Sequence, residues 1–94
     1  MSENKRIIAQ YNKIAEDILY KYVREVQDRV ARNGVRPSFD ELLDCAKALN
    51  KELTENAVKL IEANKDQKYV SKERLANGMK KIIGESIEVY IDQL

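Results

Sequence analysis

Apolar side chains recur at steps of three and four along nearly the whole chain, and the two breaks in that rhythm fall where helices end. From Glu3 to Asn33 there is no Gly or Pro, so the periodicity predicts one long helix. Asn33-Gly34 supplies residues that tolerate a left-handed cap, and Pro37 follows, where helix cannot continue. Ser38-Phe39-Asp40-Glu41 then has the order of a capping box. The serine hydroxyl accepts from the Glu41 N–H, the Glu41 carboxylate reaches back to Ser38, and two acids sit at the positive end of the helix dipole. A second helix is predicted over 39–64.

Asn64 to Val70 is a polar connector, and Ser71 before Lys72-Glu73-Arg74 is a third N-cap. Leu75, Met79, Ile82, Ile83, Ile87, Tyr90 and Leu94 fall on one face of a third helix, predicted over 72–92, with Gly78 and Gly84 off that face. Asn77-Gly78 is a turn-forming dipeptide, but the apolar phase set by Leu75 continues through it, so a single helix is expected. The fold class is therefore all-α: an elongated three-helix bundle, up-down-up, in one domain spanning 1–94.

The faces differ. The second helix carries a narrow seam of Leu42, Leu43, Ala46, Leu49, Leu53, Ala57, Leu60 and Ile61, with Asn50 inside it as a register residue and Cys45 at its edge. The first helix has two rows at steps of four. One holds Ile7, Tyr11, Ala15, Leu19 and Val23; the other holds Ile14, Ile18, Tyr22, Val26 and Val30. Each step of four advances about 40°, so the apolar face turns by about 160° over sixteen residues.

A helix of some 30 residues is about 45 Å long, whereas a compact globule of this size has a radius of gyration of about 12 Å. One straight neighbour does not cover such a band. The pattern predicts that one end of the first helix, at Ile7, Ile8 and Tyr11, meets another chain, either a second copy or a different protein. In the alternative, a steeply crossed bundle, the third helix covers that end within a single chain.

Composition supports a folded helical domain: 44% of the 94 residues are apolar and 35% charged, with 3 Gly and 1 Pro. Charge is nearly balanced at +1. The first 37 residues hold eight basic against five acidic side chains, the next 27 hold three against six, and the rest six against five. Lys21, Arg24, Arg29, Arg32 and Arg36 form a candidate phosphate-contacting strip, which would make the chain a nucleic-acid-binding regulator. Asp17 before Lys21, Glu25 before Arg29 and Asp28 before Arg32 stand at the spacing of ion pairs that would cancel much of that field.

Enzyme chemistry is poorly provided for. The chain has no His, which removes the usual general base and the Ser-His and Cys-His pairs, and it has no Gly-rich phosphate loop. Glu52-x-x-Glu55 and Glu85-x-x-Glu88 share the spacing of magnesium-holding carboxylates on helices, but both pairs are predicted to point to solvent behind the apolar seams. Val70 to Ala76 opens in the order of a helix-turn-helix, yet Lys80 stands where the turn belongs, so a covered core helix is expected. No catalytic residue, cofactor or metal is expected.

The lone Cys45 forms no staple, no stretch reads as a signal peptide or membrane span, and the polar N-terminus lacks a lipid-anchor residue. These point to a cytoplasmic protein without membrane attachment. Tyr11, Tyr22 and Tyr90 are placed on apolar faces, and Tyr20 and Tyr69 at the surface. The function class that follows is a non-catalytic helical protein–protein interaction module, a self-associating small regulator, adaptor or assembly component.

Overall fold

In a computed structural model, which describes residues 2–93, the chain forms three helices: α1 (Glu3–Asn33), α2 (Phe39–Asn64) and α3 (Lys72–Gln93). The boundaries match those read from the sequence to within one residue. Leu94, assigned above to the third helix's apolar face, lies outside the described residues.

The caps form where the side chains call for them. The Ser2, Ser38 and Ser71 hydroxyls accept from the N–H groups of Lys5, Glu41 and Arg74. Gly34 adopts φ 67°, and its N–H donates to the Val30 carbonyl at 2.8 Å. Only half of the expected capping box is present, because the Glu41 carboxylate is taken by Arg29 of α1 at 2.8 Å. α3 runs unbroken through Asn77-Gly78.

The helices run up, down and up. Tyr11 against Leu53 and Arg29 against Glu41 make α1 and α2 antiparallel; Asn4 against Ser71 and Tyr22 against Tyr90 make α1 and α3 parallel. All three pack on one another in a rod of 53 × 21 × 19 Å with a radius of gyration of 15.3 Å. The excess over the compact value of about 12 Å is the elongation expected of a long first helix. No described helix is long and apolar enough to cross a membrane.

One core runs along the rod. Ile7, Tyr11, Ala15 and Val26 of α1 meet Leu49, Leu53 and Ala57 of α2 and Leu75, Met79 and Tyr90 of α3. The Tyr11 hydroxyl donates to the Leu53 carbonyl at 2.8 Å inside this core. The packing corrects the expectation about the winding band. Ile7 and Tyr11 are 0% exposed, and Ile8 is half-buried against Gly78 of α3. Every residue of both α1 rows is buried or half-buried within the one chain. Two neighbours lie on different sides of α1 along most of its length, so the band that winds away from one helix winds onto the other. Ile7 and Tyr11 therefore have no surface left for another chain, while Ile8 still borders a recess with Asn4, Ala9, Asn12 and Ile82.

Candidate interaction surface

With the α1 rows buried or half-buried, most of the exposed apolar surface lies elsewhere. Half of the exposed large apolar side chains among the described residues stand along the α2–α3 groove: Phe39 (78% exposed), Leu43 (43%), Val58 (54%) and Ile91 (59%). None of the first ten residues of α2 is buried, so the most open part of the bundle is the end opposite to Ile7.

Helical spacing explains the groove. On α2, Phe39, Leu43, Ala46, Asn50, Thr54, Ala57 and Ile61 follow steps of three and four, rotated to one side of buried Leu49 and Leu53 and meeting that line at buried Ala57. On α3, Ala76, Lys80, Ile83, Ile87 and Ile91 do the same beside Leu75, Met79 and Tyr90. Each helix thus carries a second, mostly apolar row, interrupted by Asn50 and Thr54 on α2 and by Lys80 on α3, and the two rows border one groove. One recess in it is walled by Phe39, Leu43, Ala46 and Ile91, and a second by Asn50, Thr54, Val58, Ala76 and Ile83. Leu43, Ala46, Asn50, Ala57 and Ile61 of the α2 row were present in the sequence within the seam, and Phe39 and Thr54 were not. What signals a second face is the seam's width: Leu43, Ala46 and Ile61 lie to one side of Leu49 and Leu53, with Phe39 in phase one turn earlier.

The basic residues of α1 are distributed differently from a strip. Lys21 reaches across to Glu52 at 2.9 Å and Arg29 to Glu41 at 2.8 Å, both acids of α2, in place of the expected pairs within α1. Arg32 donates to the Asp28 carbonyl at 3.4 Å, Arg24 is exposed, and Arg36 stands at the mouth of a recess beside Pro37 and Leu42. Glu52, expected in solvent, instead faces α1 with one carboxylate oxygen buried. Its hydrogen bond raises Lys21 above the ordinary lysine range. Glu55, Glu85 and Glu88 are exposed as expected, and do not converge with Glu52.

Between α1, α2 and α3 lies one further recess, of about 290 Å³, lined by Lys21, Tyr22, Glu25, Arg29, Cys45 and Tyr90. Burial pushes the Tyr90 hydroxyl up to about 12, helped by the Cys45 thiol beside it; that thiol is a weak acceptor, and the hydroxyl has no strong hydrogen-bond partner. Burial likewise pushes Tyr11 up to about 12. No group of three carboxylate or thiol side chains among the described residues is placed to hold a metal ion. Comparison with protein-family models, with curated proteins and with solved structures finds no match.

Proposed function

We propose that the chain is a non-catalytic helical protein–protein interaction module that works through its open α2–α3 face, as a small regulator, adaptor or assembly component in the cytoplasm. The observation that carries this reading is the clustering of Phe39, Leu43, Val58 and Ile91 along one groove. A phenylalanine in the first turn of a helix with most of its surface in water costs burial energy that a partner would recover, on the order of 25 cal/mol per Å² of apolar surface. The lack of His supports the non-catalytic part of the reading, and a single half-buried cysteine fits a reducing compartment. The nucleic-acid reading gains no support, since Lys21 and Arg29 spend their charge on acids of α2.

A photo-crosslinking amino acid at Leu43, compared with one at exposed Asp17 on α1, tests the proposal in cells. Protein adducts at 43 and none at 17 are expected. Equal capture at both positions, or none at 43, would overturn it.

A further inference from the structure

We infer that the occupant of the α2–α3 face is a second copy of this chain, related by a two-fold axis that runs along the groove. This rests on the interaction-module reading and adds the identity and geometry of the partner.

Charge order around the groove is the first argument. One recess sets Leu43 of α2 level with Ile91 of α3, and the other sets Val58 level with Ala76. The helices are antiparallel with equal rise, so one turn further in Lys47 lies level with Glu88, and Glu55 lies level with Lys80. All four side chains are exposed. Between these two levels the α2 rim therefore reads positive then negative where the α3 rim reads negative then positive; beyond them Glu62 lies level with Glu73, a like-charge pair. A two-fold axis along the groove keeps each level and sets α2 of one copy beside α3 of the other. Lys47 then meets the partner's Glu88, and Glu55 meets the partner's Lys80, twice each. Such self-complementarity is what an isologous interface demands. An axis across the groove would instead stack α2 on α2 and bring Lys47 and Lys51 of both copies together near its middle.

Size is the second argument. From Phe39 to Ile61 the groove is about 33 Å long, and two helices side by side are about 20 Å wide, giving roughly 650 Å² per copy. The total of about 1,300 Å² falls in the range of stable specific interfaces. The resulting core is four helices, each antiparallel to its neighbours, with the apolar side chains of the rows from Phe39 and Ile91 facing inward, Lys80 at its edge and Asn50 of each copy at its centre. A polar residue at the centre of such a core selects one register.

Light scattering on the full chain, on Lys47→Glu, on Glu88→Lys and on an equimolar mixture of the two variants tests this. The wild type should have twice the chain mass. Each variant alone should dissociate at concentrations at least tenfold higher than wild type, because like charges face each other across the axis. The mixture should return to near wild-type affinity, because every cross-chain pair is opposite again while the pairs within each chain stay mismatched. Leu43→Glu should be monomeric with unchanged helical circular dichroism. A wild type of single-chain mass up to millimolar concentration, or a mixture no tighter than its components, would overturn the inference. If the wild type is monomeric while the crosslinker at 43 captures a different protein, the second copy is wrong and the interaction-module reading stands; if nothing is captured, both fall.

Discussion

A Cβ placed on Gly78 of α3 would stand 2.7 Å from Cδ1 and 3.3 Å from Cγ1 of Ile8 on the parallel helix α1, so the Ile8 side chain occupies the space that a larger residue at 78 would need. Gly78 was expected off the packed face, where alanine would gain about 1 kcal/mol of helix propensity. The contact reverses that sign. Gly78→Ala should destabilise the chain by about 1 kcal/mol, and in an Ile8→Val background, which lacks Cδ1, it should become neutral or stabilising. Additive effects of the two substitutions in urea unfolding would contradict the contact. Gly84 has nothing within 4 Å of its virtual Cβ, and Gly84→Ala should stabilise by about 0.5–1 kcal/mol.

The two buried tyrosines should respond oppositely to loss of their hydroxyls. Tyr11 donates to the Leu53 carbonyl, and Tyr11→Phe leaves that acceptor buried and unpaired at a cost of about 1–2 kcal/mol. The Tyr90 hydroxyl has no hydrogen-bond partner beyond the weak Cys45 thiol, so Tyr90→Phe should be neutral or slightly stabilising. Thermal unfolding of the two variants checks the contrast.

Both hydroxyls are pushed from 10 up to about 12 in the folded chain. The folded state then holds their protons more tightly than the unfolded state. The associated stability is complete below pH 10 and is lost as the pH rises from 10 towards 12, by on the order of 2–3 kcal/mol per tyrosine. Lys21, whose folded value is also raised, acts in the same direction. Urea midpoints measured near neutral pH and at about pH 11 should fall, and the fall should be smaller in Tyr11→Phe. A midpoint that holds steady across that interval would contradict the burial argument.

Lys21 and Glu52 form a partly exposed pair whose acid is the more enclosed partner. Removing the base should therefore cost more than removing the acid. Lys21→Ala leaves a carboxylate with one oxygen already buried and unpartnered, and should destabilise by about 1 kcal/mol; Glu52→Gln should cost less than about 0.5 kcal/mol. The reverse order in chemical denaturation would show that the pair is a solvated surface contact.

The fold was legible in the sequence because its signals are local. Caps at Ser38 and Ser71, the stop at Gly34 and the apolar phase through Asn77-Gly78 depend on residues within a turn or two of one another. The proposed interaction surface was not legible for the opposite reason. Whether the band through Ile7, Tyr11 and Val26 is surplus depends on where α2 and α3 lie around α1, which no spacing within α1 encodes. The same holds for Glu52: its position on α2 fixes a direction, but only the placement of α1 decides whether that direction is water or Lys21. Leu43, read as part of a single core seam, turns out to lie at its outer edge, where the seam is too wide for one chain to cover.

Two-dimensional NMR spectra of the wild-type chain across a dilution series test the central claim most directly, that the α2–α3 face and not α1 carries the association. Between concentrated and dilute samples, the amide resonances of Phe39, Leu43, Ala46, Ile87 and Ile91 should move while those of Ile7, Ile8 and Tyr11 stay fixed. Spectra that do not change with concentration, or changes centred on Ile7, Ile8 and Tyr11, would contradict it.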